Sequence, residues 1–229
     1  MHALDQIRQA LRHLDPNQVR EESAKPVDLG MEELGSDPER SAREILLTCP
    51  DLSLALARRL PPFRKPVIAR IIKDVSRENA LFALFTALPS VIPNLLSLGW
   101  TAGEFASDTA VLTVNQVRMA FLIAAASDRP VGYFEQKSQI ASIIAGAFGW
   151  RAIARQLAGK IPLGEGLIPK AAIAYAGTYV VGLSLERYHR IGSALAGAER
   201  EEAYRQALES GKRLASWALG SRDSEPESA

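Results

Sequence analysis

Apolar and polar positions alternate at helical spacing along most of the chain. Leu4, Ile7, Leu11 and Leu14 recur three and four residues apart, with Arg8, Gln9 and Arg12 opposite, which predicts an amphipathic first helix. Asp15-Pro16 closes that helix or begins the next turn, and the polar, turn-rich stretch 17–38 reads as a short helix or linker. Asp37-Pro38 has the form of an N-cap and a first helical position, predicting a helix to about Thr48. Pro50-Asp51 starts another short helix, Leu52 to Leu60, and Pro61-Pro62 is a break. Over 64–75, Val67, Ile68, Ile71, Ile72 and Val75 share one side, while Arg64, Lys65, Arg70 and Lys73 take the other. Ser76 reads as the N-cap of the next segment.

From there the pattern changes, because charge disappears over long stretches: 79–103, 138–150 and 171–185 carry none. The first is interrupted by Pro89, Pro93 and Asn94. The prolines predict two half-helices with a bend, either a re-entrant hairpin or buried core, rather than a straight span. A helix over about 108–127 is apolar except for Asp108, Asn115 and Arg118, whose spacing of seven and three makes a narrow polar stripe. The stripe reads either as buried hydrogen bonds that fix helix register or as the lining of a ligand path. In the helix over 135–149, Ala141, Ala145 and Gly149 make a small-residue groove, and in the one over 168–188 Ala174, Thr178 and Gly182 make another. Arg151 and Arg155 stand one turn apart on a more polar segment. The last helix, about 198–218, is amphipathic, with Tyr204, Ala207, Leu208, Gly211, Leu214, Ala215 and Ala218 on one side. The tail from Ser221 is expected to be disordered.

Composition narrows the function classes. The 229 residues are 47% hydrophobic, and 27 Lys and Arg against 26 Asp and Glu leave a net charge of +1, without the uncompensated basic surface that nucleic acid requires. The single cysteine, Cys49, excludes an internal disulfide. The N-terminal stretch has no apolar core of a secretory signal. His2, His13 and His189 are scattered without ligand spacing and read as solvent-facing, so no metal site is expected. Gly35-Ser36 lacks the lysine of a phosphate-binding loop, and no serine sits in a nucleophile elbow. Glu165, between Gly164 and Gly166, reads as a solvated turn. No catalytic residue and no cofactor is therefore expected.

The order of features from Ser76 onward resembles a known family. Asn115-Gln116-Val117-Arg118-Met119, the stretch GAFGWRAIAR from Gly146 to Arg155, and the Ile161-Pro162 loop with the apolar helix after it are similar to the YcjF-like bacterial domain of unknown function that accompanies dynamin-like and Era-like GTPases. The resemblance covers roughly 60–195. The segments Asp15 to Glu22 and Lys25-Pro26-Val27 resemble the lead-in to a nucleotide-binding-like module in relatives, but little stands between Val27 and Asp37 where that module would be. The resemblance implies inner-membrane association, a GTPase or membrane-remodelling partner and no catalytic residues to carry over.

The fold expected is an all-α bundle of charge-poor hairpins with amphipathic terminal helices. Its expected divisions are 1–38 (first helix and linker), 39–197 (YcjF-like domain), 198–220 (last helix) and 221–229 (tail). The expected function is a non-catalytic adaptor or anchor on the cytoplasmic face of the inner membrane. Arg64, Lys65, Arg70, Lys73, Arg151 and Arg155 would meet lipid headgroups or a protein partner, and 79–103 would insert. Positive charge before that segment, with Glu104 and Asp108 after it, agrees with a cytoplasmic N-terminal side. The alternative is a cytoplasmic, soluble helical scaffold, as a single chain or a homodimer.

Overall fold

A computed structural model describes residues 14–87, 108–145 and 167–220. They form an all-α bundle, with no strand among the described residues. The helices are α1 (Pro16–Ser23), α2 (Pro38–Thr48), α3 (Ser53–Arg59), α4 (Pro61–Ala87), α5 (Asp108–Ala126), α6 (helical over 137–145), α7 (Leu167–Ile191) and α8 (Gly197–Ala218). Short 3-10 turns at Met31–Leu34 and Pro50–Leu52 link the first ones. Local chemistry sets the starts. Asp15 accepts from the Asn17 N–H at 2.9 Å and Asp37 from the Arg40 N–H at 3.1 Å, each followed by proline at the first helical position. Asp15-Pro16 thus begins a helix. At α8, Glu199 accepts the Ala196 N–H at 3.0 Å.

The N-terminal stretch is not a loose linker where it is described. Val19 and Leu34 are buried in the same core as Phe63, Ile72 and Phe121. The expected break at Ser76 is also absent. α4 runs through it as one helix of 27 residues, about 40 Å long. Ser76 is fully buried and its hydroxyl donates to the Ile72 carbonyl at 2.7 Å, the back-bonding of a mid-helix serine rather than a cap. Pro61 and Pro62 open this helix, since the first turn needs no internal N–H donor.

Antiparallel pairing organises the long helices. Asn79 on α4 meets Leu112 and Asn115 on α5 and Thr178 on α7. A Cβ at Gly182 of α7 would lie 2.7 Å from Ile72 of α4 and 3.1 Å from Met119 of α5, so the absence of a side chain there sets the close approach. α7 and α8 pack antiparallel through a short connection, with Arg187 against Glu199 at one end and Ala172 against Gly211 nearer the other. The main core joins α1–α7, and a second cluster joins Ala80 and Leu84 of α4 to Tyr175, Ala176 and Val180 of α7 and Tyr204, Ala207 and Leu214 of α8.

This pairing gives the bundle two poles. At one, α4 ends, α5 and α7 begin and α8 ends, and Phe85, Trp217 and Leu219 are exposed there beside Lys170 and Arg213. At the other lie the start of α4, the end of α5 and the end of α7, with Arg58, Arg64, Arg129, Arg187 and Arg190 and with exposed Phe134, Tyr188 and Ile191. The first helix over 4–14 falls almost wholly outside the described residues. So do the proline-broken part of 79–103, the Arg151/Arg155 segment, Glu165 and the tail; 79–87 belongs to α4. Ala141 and Ala145 are exposed, so the groove read from them receives no helix among the described residues, whereas the Thr178/Gly182 side of α7 does face α4 and α5.

Candidate functional site

The polar stripe on α5 is the first candidate. Asn115 and Arg118 both reach α4. The Asn115 Nδ2 donates to Asn79 Oδ1 at 2.8 Å, and Arg118 pairs with Glu78 one residue away. Asp108 is the first residue of α5, but its side chain lies outside the described ones. Three residues the stripe did not include complete the arrangement. Asn79 is fully buried; its Nδ2 donates to Thr178 Oγ1 at 2.8 Å and to the Leu112 carbonyl at 3.3 Å. Gln116 donates to the same Thr178 hydroxyl oxygen at 3.3 Å. A seam of amides and one hydroxyl therefore ties α4, α5 and α7 across the middle of an apolar interior.

Chemically the seam is a register device. Every member is neutral, Asn79 has its oxygen and its amide group engaged, and no general base lies among them to activate the Thr178 hydroxyl. Sliding α5 by one turn would leave Asn79 Oδ1 without its donor, and a buried unpaired amide costs about 1–3 kcal/mol. The Arg118–Glu78 pair is well exposed on both sides and adds little stability. Asn79 was hidden in sequence because it opens an uncharged run, and Thr178 because it stands in a row of small residues. The usable signal was that an asparagine in an uncharged helix must find a partner when buried.

The basic residues predicted to meet headgroups are placed differently from one another. Arg64 turns onto the end of α3, donating to the Ala57 carbonyl at 3.2 Å and to the Arg58 carbonyl at 3.3 Å, where a cation complements the helix C-terminus. Arg70 pairs with Asp74 at 3.6 Å on the surface of α4. Lys65 is exposed and Lys73 half-buried. Arg64 and Phe85 are 21 positions apart on one helix, about 32 Å. A bilayer contact at the Phe85 pole is therefore out of reach of Arg64 and Lys65. Arg151 and Arg155 lie outside the described residues.

A cleft of about 610 Å³ at the charged pole was not foreseen from sequence. It lies between α1, the end of α3 and the segment after α5, and is lined by Arg20, Ser23, Arg58, Asp128, Arg129 and Glu135 among others. The segment after α5 is firmly held. Arg20 donates twice to the Val131 carbonyl, once at 2.7 Å, and Gln136, almost fully buried, accepts from the Gly132 N–H at 2.8 Å and donates to the Pro130 carbonyl at 2.7 Å. α5 ends in a Schellman turn: the Arg129 N–H reaches the Ala124 carbonyl at 2.9 Å and the Asp128 N–H the Ala125 carbonyl at 3.0 Å. The left-handed position, φ 54°, is held by Asp128 where glycine is the usual occupant. Its carboxylate accepts from Arg58 Nε at 3.3 Å, and Arg58 Nη1 reaches the buried Ser23 hydroxyl at 3.4 Å.

His189, near the end of α7, is half-buried rather than solvent-facing. Burial, and next the positive charge of Arg129, push its pKa below the ordinary value of 6.5. Above that value His189 is neutral in both the folded and unfolded chain and pH has no leverage. Below it the unfolded chain takes up the proton first, so stability falls as pH is lowered through and below about 6.5. His189→Gln is expected to flatten this acid-side loss, read as the urea midpoint across pH 5 to 8.

Among the described residues no group of three His, Cys, Asp or Glu could hold a metal ion. No family model, no curated protein and no solved structure matches the chain.

Proposed function

We propose that the chain is a non-catalytic, membrane-associated helical adaptor that rests its apolar pole on a bilayer. The observation that carries this reading is the exposure of Phe85, Trp217 and Leu219 together at the pole where α4 and α8 end. Aromatic side chains with a polar atom, such as Trp217, favour the headgroup level of a membrane. The YcjF-like resemblance adds a location, the cytoplasmic face of an inner membrane, and a partner class, a GTPase of a membrane-remodelling system.

The contact proposed is peripheral. α7 is 25 residues long and apolar enough to cross a membrane, with 44% of its most apolar window buried in the bundle. Yet α8 lies along it, and the outer face of α8 carries exposed Glu201, Glu202, Arg205 and Glu209. Sinking α7 into hydrocarbon would take these charges with it, at about 3 kcal/mol each near the bilayer centre. The same charged face favours the second reading, a soluble helical scaffold that binds a protein through the apolar pole, as a monomer or a homo-oligomer.

Vesicle flotation of the full chain separates the two. Flotation with anionic vesicles, lost on alkaline carbonate washing, is the expected result. Phe85→Ser with Trp217→Ser is expected to lower vesicle affinity more than tenfold, since burying one large apolar side chain contributes about 1.5–3 kcal/mol. A wild-type chain that stays monodisperse in the soluble fraction beside vesicles would leave the scaffold reading.

A further inference from the structure

We infer that the cleft between α1, the end of α3 and the segment after α5 is a binding site for the phosphate group of a small ester. Arg20, Arg58 and Arg129 line it, against two carboxylate residues, Asp128 and Glu135. Arg20 is committed to the Val131 carbonyl and Asn17 and forms the fixed wall. Arg58 holds only a long, half-exposed pair with Asp128 and a 3.4 Å contact with the Ser23 hydroxyl. Arg129 is exposed and makes no side-chain hydrogen bond among the described residues. Two adjustable forks beside a rigid one suit an oxyanion that accepts several charge-assisted hydrogen bonds, and a phosphate dianion displaces a screened carboxylate partner from Arg58.

The backbone supports a purpose for Asp128. Glycine would hold its left-handed position without strain; the carboxylate that stands there instead keeps Arg58 beside the cleft until phosphate takes its place. Asp128 and Glu135 also line the cleft, the Glu135 carboxylate close to the Arg20 guanidinium over Gly132, and they restrict the rest of the ester to groups that donate hydrogen bonds, such as hydroxyls or an amine. Because the cleft lies at the pole away from Phe85 and Trp217, a soluble phosphate ester is its expected source rather than a lipid headgroup.

Inorganic phosphate and glycerol phosphate, titrated separately into the full chain by calorimetry at constant ionic strength, test this. Binding in the millimolar range or tighter is expected, weakened about tenfold or more by Arg129→Gln, the loss of a charge-assisted hydrogen bond. Arg70→Gln, the same charge change on α4, is expected to bind as wild type. His189 gives a second readout. A phosphate beside Arg129 offsets the positive field that reaches His189, so its NMR titration moves upward in phosphate with wild type and stays put in Arg129→Gln. An unchanged urea midpoint for Arg129→Gln verifies that the fold is intact. Unchanged vesicle flotation of that variant assigns the site to a soluble ester, and reduced flotation assigns it to a lipid headgroup. No heat with either phosphate, or equal weakening by Arg70→Gln, would overturn the inference.

Discussion

Asn79→Ala is expected to lower the stability of the bundle by about 2–4 kcal/mol, the largest effect of any single polar substitution in it. Asn79 is fully buried and bonds to α5 through Asn115 and Leu112 and to α7 through Thr178. Alanine removes its amide and leaves a void beside Asn115, which is half-buried and reaches water at one edge. Thr178 keeps one partner, because Gln116 still donates to it. Those two remainders hold the expected loss below that of an isolated buried amide with three abandoned partners. For a chain of this size the loss corresponds to a melting temperature lower by about 5–15 °C. Thr178→Val preserves shape and removes the shared acceptor, so its loss combined with Asn79→Ala should fall short of the sum of the two. Urea unfolding of the four chains measures that coupling. Strict additivity would mean that the seam does not act as one unit.

Gly211→Val is expected to detach α8 from α7. A Cβ at this position would stand 2.8 Å from the Ala172 Cα, 2.9 Å from the Tyr175 Cβ and 3.0 Å from the Ala172 carbonyl oxygen. These are atoms of the α7 backbone or fixed to it, so no rotamer change relieves the clash and the helices must separate. The separation breaks the cluster that Tyr204, Ala207 and Leu214 form with Tyr175 and Ala176. Overpacking costs about 1–3 kcal/mol where side chains can yield, and more is expected where backbone must move. Hydrogen exchange should show α8 losing its protection while α4 and α5 keep theirs. Gly182→Ala makes the useful contrast. Its Cβ would meet Ile72 and Met119 side chains, and Met119 can re-pack. Its effect should be smaller and spread over the central helices.

The helices were largely legible in the sequence, and the reasons are local. Asp37-Pro38, the apolar spacing over 198–218 and the uncharged run after Lys170 each specify an element by their own chemistry. Ser76 misled because a serine before an apolar segment looks the same whether it caps a helix or bonds back within one. The choice was made by burial against Ile72, which sequence spacing does not encode. The stripe of Asn115 and Arg118 was readable because polar residues stand out on an apolar helix. Its partners were not, since Glu78 and Asn79 are brought to it by antiparallel packing of α4 on α5, and Thr178 joins Asn79 from 99 positions away. The phosphate cleft was invisible for the same reason. Arg20, Arg58 and Arg129 are each ordinary in their own neighbourhoods, and only the anchoring of Val131 by Arg20 across 111 positions assembles them.

The poles are the feature on which the functional reading turns, and Cys49 offers a direct way to probe them. It is the only cysteine of the chain, is exposed, and stands between α2 and α3, twelve positions before α4 begins. An environment-sensitive thiol dye on Cys49 reports one side of the bundle, and the same dye on Phe85→Cys in a Cys49→Ser chain reports the other. With anionic vesicles added, the dye at position 85 should shift to the blue and become accessible to lipid-borne quenchers, while the dye at Cys49 keeps its aqueous emission. Emission unchanged at both positions, or shifted equally at both, would contradict a bundle that stands on a membrane by its apolar pole.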